Sequence, residues 1–278
     1  MTVNYRCPVC GEKLKLSENS YRCRNRHCFD LSAKGYVNLL LTRGRNPAKA
    51  GDAPNMIRAR SDFLGTDAYK PLADRLCETV RELTAGIKEP VVIDSGCGEG
   101  YYTVKIASSL KDAAVFGIDI SKSGIAHAAA LKKAAGCNSL QLAVASSFEL
   151  PFGKNTADVL VSVFAPVSND EYSRVLRPGG KLIVVSPTPM HLFRLKALIY
   201  DEPYQNKPNR YGLRSFELTN EQQLEYSFTL ATDKQAADLF AMTPYYYKTS
   251  PEAKARLIGC APFETEAGFL IQVFTKII

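Results

Sequence analysis

The sequence predicts an α/β domain, a mostly parallel sheet with helices on both faces, preceded by a small metal-binding module. Three observations carry this reading. From Pro90 onward short apolar runs alternate with helical periods, the pattern of a parallel sheet covered on both sides. A glycine-rich turn, DSGCGEG at 94–100, follows the first of those runs. Four of the eight cysteines fall within the first 28 residues, which in a reducing compartment points to metal binding rather than disulfides.

In chain order, residues 1–36 make the metal module. Residues 37–56, which include the Gly-, Pro- and base-rich LTRGRNPAKAGDAPNM, read as a linker, and residues 57–278 as the large domain. Met56 to about Leu83 has apolar residues near helical spacing. VVIDSG, VFGIDI, LQLAVAS, ADVLVSVFAP and KLIVVSP read as strands. Helices fall between them at YYTVKIASSL, SGIAHAAALKKAA and around Asp170–Leu176. TDKQAADLFAMT and PEAKARLIG then read as helices and GFLIQVFTKI as a last strand.

The chain has 278 residues, 46% of them hydrophobic and 23% charged, so a packed core is expected and wholesale disorder is not. It has no apolar run of about 18 residues to span a bilayer, and MTVNYRCPVCG has no signal-peptide core. A cytoplasmic protein without membrane contact is expected. The formal charge of +7 suits a polyanionic partner.

Cys7-x2-Cys10 and Cys23-x3-His27 are two close pairs of soft ligands separated by a loop. Tetrahedral zinc takes such a set with four protein ligands, as a structural ion. Cys28 adjoins His27 and is an alternative fourth ligand. A module of this size buries little core, so the metal would supply much of its stability. Loss of the metal is expected to unfold the module and leave the large domain folded. Lys13, Lys15, Arg22, Arg24 and Arg26 surround the ligands, either as a solvated face or as phosphate contacts.

Asp94-x-Gly96-x-Gly98-x-Gly100 lies between a strand and a helix, where glycines let a ligand rest on the backbone. The last glycine comes one residue earlier than in a dinucleotide fingerprint, and Tyr101 takes the dehydrogenase position. That spacing resembles the first motif of class I methyltransferases, in which the methionine end of S-adenosylmethionine lies against the loop. Asp119 ends the next strand and is placed to accept from both ribose hydroxyls. Its other reading is a helix cap, a role that suits Ser121 or Ser123 better. Ala145, Ser146 and Ser147 would lie beside the adenine.

Taken in order, CPVC, YRC, RH, FD, KGYVNLL, DSGCGEGYYT, GIDISK, VASS, LPF, AP, RPGG, HL and LIY resemble the bacterial 23S rRNA (guanine-N1)-methyltransferases, the RlmA family, over essentially the whole chain. The resemblance implies a class I, Rossmann-like methyltransferase fold and methylation of guanine N1 in a 23S rRNA hairpin lining the peptide exit tunnel. RNA is the implied partner, not DNA, and a homodimer the implied assembly. The branch of this family found mainly in Gram-positive bacteria is linked with resistance to tylosin-type macrolides. Zinc ligands fall on Cys7, Cys10, Cys23 and His27, with Cys28 a bystander. Cofactor contacts fall on Tyr69, Gly98, Glu99 and His191, which requires the helix before the sheet to fold over the cofactor. Position 95 is Ser where the motif more often has Ile or Val.

Guanine N1 carries a proton that must leave before its lone pair attacks, and N1 is reached only in an unpaired or flipped base. His191 and Glu99 are chemically capable of accepting that proton, but no catalytic base is identified by the sequence. Phe164, Tyr101, Tyr102 and Phe193 are candidates to stack on the base. Two rival readings are a methyltransferase acting on a small molecule and a non-catalytic zinc-containing RNA-binding protein.

Overall fold

The computed structural model describes residues 3–41, 51–209 and 211–277. Three short strands, β1 (Lys15–Ser17), β2 (Ser20–Arg22) and β3 (Cys28–Asp30), form an antiparallel sheet around the cysteines. Everything else is built on one eight-stranded sheet. Its strands are β4 (Val37–Asn38), β5 (Val91–Ser95), β6 (Ala114–Asp119), β7 (Leu140–Val144), β8 (Ala157–Val163), β9 (Leu176–Pro187), β10 (Phe216–Leu230) and β11 (Phe263–Lys276). They run in the order β10-β11-β9-β8-β5-β6-β7-β4. The pairs from β9 to β4 are parallel, whereas β11 is antiparallel to both β9 and β10. Strand order reverses at β5, between β6 and β8, and the crevice outside the carboxyl ends of the strands opens there.

The expected helix over Met56–Leu83 is two helices, α1 (Pro54–Leu64) and α2 (Lys70–Thr84). Pro71 is the reason. It has no N–H to donate and fits only the first turn of a helix, so a new helix starts there. Asp67, with φ 61°, reverses the chain between the two. The remaining helices are α3 (Tyr101–Ser109), α4 (Lys122–Ala134), α5 (Asn169–Val175), α6 (Phe193–Ile199), α7 (Asp233–Ala241) and α8 (Pro251–Ala255). Among the described residues no helix is long and apolar enough to cross a membrane.

Alternate residues of each central strand enter opposite apolar layers. Val92 and Val115 face α2, α3 and α4, while Ile93 and Phe116 face the other way. That second layer is closed by α5 and, toward the β7 edge, by the metal module rather than by helices throughout. Tyr5 is buried there against Phe116 and Phe152, with ring centroids 5.5 and 5.6 Å away. The Arg6 N–H donates to the Pro151 carbonyl (2.7 Å), and Tyr21 Oη donates to Gln141 Oε1 (3.3 Å).

Residues 37–56, read as a linker, begin as strand β4, which adds to β7 in parallel with Val37 opposite Ala143. They end in the first turn of α1. Arg43 and Arg45 lie outside the described residues. β10, fifteen residues long and at the open edge of the sheet, is absent from the sequence reading.

Candidate functional site

Two turns create the metal centre. Gly11, with φ 78°, closes the first by donating its N–H to the Cys7 carbonyl (2.8 Å). Arg26 closes the second onto the Cys23 carbonyl (3.0 Å). The ligand atoms of Cys7, Cys10, Cys23 and His27 all lie within 4.8 Å of one another. Cys10 Sγ is 3.7 Å from Cys23 Sγ, and His27 Nδ1 is 3.6 and 3.4 Å from the sulfurs of Cys7 and Cys23. A tetrahedron with metal bonds of about 2.3 Å to sulfur and about 2.0–2.1 Å to nitrogen has edges of about 3.8 Å between sulfurs and about 3.6 Å between sulfur and nitrogen. The residues present therefore fit zinc. Cys28 stands apart, exposed on β3 with its sulfur 3.9 Å from Asp30 Oδ1. Burial pushes the Cys7 thiol up, whereas the Glu12 N–H holds Cys10 down to about 6, close to the thiolate form the metal needs.

The glycine turn follows β5 at the switch point. A Cβ on Gly100 would come within 2.6 Å of Ala128 Cβ on α4, so this glycine lets α3 and α4 pack. A Cβ on Gly96 would come within 2.4 Å of Ala165 Cβ, so this one seats the end of β8 on the turn. At Gly98 the neighbour of such a Cβ is Arg60 Nη1, at 3.2 Å. Arg60 comes from α1 and pairs with Asp52 (2.5 Å) and Glu99 (3.4 Å), so α1 closes over the turn. Glu99 is buried, which raises its pKa, and Arg60 opposes the rise.

Asp119 ends β6 with both oxygens engaged. Oδ2 accepts from the Gly98 N–H (2.9 Å) and Oδ1 from the Ser121 N–H (2.7 Å). Burial raises its pKa and those two N–H groups oppose the rise. The cap of α4 is Ser121, which accepts from the Gly124 N–H. Asp94 is only 2% exposed. Thr103 Oγ1 donates to its Oδ2 (2.5 Å), and among the described residues Oδ1 has no partner. Burial pushes this carboxyl up to about 7. A buried orphan oxygen of this kind fits the ammonium group of an amino-acid-bearing cofactor. Ser146 follows β7, and its Oγ accepts from the Phe148 N–H (3.1 Å).

Tyr69 and His191 form a second group, on the β11 side. Tyr69 precedes α2 and is buried edge-on against Phe63 and Phe269. Its hydroxyl is 3.4 Å from His191 Nε2. His191 Nδ1 accepts from the Gly268 N–H (3.1 Å), which places the ring proton on Nε2, facing Tyr69. Burial pushes the His191 pKa down to about 3, so the ring is neutral near pH 7.

Phe164, just past β8, has φ 52° and is 47% exposed, with its ring centroid 5.9 Å from that of His191. The other three aromatic candidates, Tyr101, Tyr102 and Phe193, are partly buried. The Phe164–Pro166 turn is tied to the glycine turn from below. Tyr172 Oη donates to the Pro166 carbonyl (2.9 Å) and lies 3.0 Å from Ser95 Oγ, which accounts for Ser at that position. Arg60, Thr103, Tyr172 and Gly268 belong to the site and escaped the sequence reading.

Residues 5–43 match a zinc-ribbon model described as RlmA, N-terminal, and residues 88–240 match a methyltransferase domain. The 23S rRNA (guanine(748)-N(1))-methyltransferase of Streptomyces fradiae is 34% identical over 263 residues, covering 92% of this chain and 90% of that protein. The chain belongs to this family of 23S rRNA guanine-N1-methyltransferases. YxjB of Bacillus subtilis is 31% identical over 264 residues, covering 91% and 90% of the two chains. Among solved structures, the YcgJ protein of Bacillus subtilis superposes with a TM-score of 0.50 at 14% identity, over 72% of this chain and 97% of that one, a likeness of fold alone. The family member described here is an S-adenosylmethionine-dependent methyltransferase with a structural zinc site.

Proposed function

We propose that the chain transfers the methyl group of S-adenosylmethionine to N1 of a guanine in a 23S rRNA hairpin near the peptide exit tunnel, on the pattern of the Streptomyces fradiae relative and its guanine 748. The observation that carries the reading is Phe164. It is an exposed aromatic on a strained backbone, seated by Ala165 directly on the glycine turn. Strain of that kind persists where the surroundings hold it, and it clusters at ligand clamps.

Asp94, Gly96, Gly98, Glu99, Gly100, Asp119 and Ser146 hold the cofactor. The Asp94 Oδ1 takes its ammonium group, and the free lone pairs of Asp119 take its ribose. Tyr69 and His191 complete the cofactor contacts from the β11 side. When bound, S-adenosylmethionine supplies a methyl carbon on a positively charged sulfur. The chain has to place guanine N1 in line with that carbon, and Phe164 does so by stacking on the flipped base. His191 is not the acceptor of the N1 proton, because Nδ1 is already bonded to Gly268 and Nε2 carries the hydrogen. Glu99 is engaged by Arg60.

RNA is held outside the pocket. In the metal module Arg6 is paired across the strands with Lys13, and Lys15 with Arg22. All four are exposed and make one cationic stripe. Arg24 is less available, since Glu12 pairs with it at 2.6 Å. Division of the chain into residues 1–36 for RNA recognition and 57–278 for catalysis is part of this reading, as is a homodimer embracing one hairpin. Mass spectrometry of 23S rRNA from a strain lacking the protein tests the proposal. A single guanine should lose its N1 methyl group, and an unchanged methylation map would refute it.

A further inference from the structure

We propose that the Pro8–Val9 turn of the zinc module forms the outer wall of the adenine subsite, so that the metal module takes part in binding the cofactor as well as RNA. The proposal rests on the cofactor placement above, with the ribose at Asp119. Beyond the ribose, the purine must lie outside the carboxyl ends of β6 and β7. At that place the structure has a cleft of about 610 Å³, within the usual range for small-molecule sites, about 300–1,000 Å³.

One wall comes from the sheet. Ile120 directly follows Asp119, and Ala145 and Ser146 follow β7. The facing wall is foreign to the methyltransferase domain. It is made by Pro8 and Val9 between two zinc ligands and by the segment that follows β4. Phe148 completes the lining. Val9 and Phe148 are 48% and 62% exposed, so two apolar side chains border the cleft. A flat, largely apolar ring with polar edges suits that space. The edge is served by Ser146. Its Oγ accepts from the Phe148 N–H, and its own hydroxyl hydrogen has no acceptor among the described residues.

The wall is held rigidly. Zinc bound to Cys7 and Cys10 would fix both ends of the turn, and the Arg6 N–H is bonded to the carbonyl of Pro151, which also lines the cleft. A cofactor seated there would touch a residue next to a zinc ligand at one end and the glycine turn at the other.

The test is calorimetric titration of S-adenosylhomocysteine, and separately of adenosine, into the zinc-loaded full-length protein and its Val9→Ala and Phe148→Ala variants. Both positions are exposed, so folding and zinc content should stay unchanged, to be checked by melting and metal analysis. Dissociation constants for both ligands should rise about three- to tenfold with Val9→Ala and about tenfold or more with Phe148→Ala. Parental affinity in both variants would overturn the inference, and weakened RNA binding alone would assign the cleft to the nucleic acid instead. If the parent protein bound neither ligand, the cofactor assignment itself would fall.

Discussion

Asp94 is held on β5 with one carboxylate oxygen bonded to Thr103 and the other to nothing among the described residues. Its pKa stands at about 7 instead of the usual 3.8, because burial penalises the charge. The native state therefore binds a proton that the unfolded chain has released across this interval. Its contribution to stability in the unliganded protein falls as pH rises from about 4 through 7. Binding of an ammonium-bearing cofactor runs the other way, since it needs the carboxylate. Affinity for S-adenosylhomocysteine should climb as pH rises toward 7, by at most about tenfold per pH unit, and level off above it. In Asp94→Asn it should be weak and flat with pH. A flat profile in the parent protein would sink this assignment. Gly268 offers a second test at the same scale. A Cβ there would lie 2.1 Å from Thr188 Oγ1, on the turn that carries His191. Gly268→Ala should cost about 1–3 kcal/mol in melting experiments, and adding Thr188→Ala should restore most of it. A single variant as stable as the parent would contradict the packing described. Asp119, the glycines and the zinc ligands were legible in the sequence because their chemistry is set by spacing along the chain. Arg60, Gly268 and the orphan oxygen of Asp94 were not, because each depends on a neighbour brought in by folding.

At the scale of elements, β1 and β2 carry Lys15 directly opposite Arg22. Like charges in that relation repel, by roughly 0.2–1 kcal/mol. A pair retained for RNA has a distinctive signature. Lys15→Ala with Arg22→Ala should leave the protein as stable as before or slightly more so, while RNA binding weakens and its dependence on salt becomes shallower by about two charges. Filter binding across a salt series reads the second effect, and an unchanged slope would return the stripe to mere solvation. The parallel strands from β5 to β9 were readable as apolar runs because both of their faces are buried. β10 was not, although Leu224, Tyr226, Phe228 and Leu230 alternate along it, because FELTNEQQ at its start is polar and most of the strand is exposed. The helix boundary at Pro71 was a local signal passed over within a longer apolar period. The metal module's own strands were hidden by their length of three residues each.

For the whole molecule, the metal module is no detachable appendage. Tyr5, Leu14 and Tyr21 share one apolar layer with Ile93, Phe116 and Leu160 of the main sheet. The expectation that metal loss would spare the large domain gives way to another. Cys23→Ser, or chelation of the zinc, should lower the melting temperature of the entire protein in a single calorimetric transition. Two transitions, the larger one unmoved, would restore the picture of independent units. The pairing of Val37 with Ala143 also bears on how the chain is made. The ribosome delivers the cysteines first, and the strand they must join only a hundred residues later. At about 5–20 residues per second, that is a delay of roughly 5–20 s. Throughout this interval Tyr5 and Tyr21 lack the sheet that buries them in the finished fold, so two aromatic rings of the module stay uncovered until it arrives.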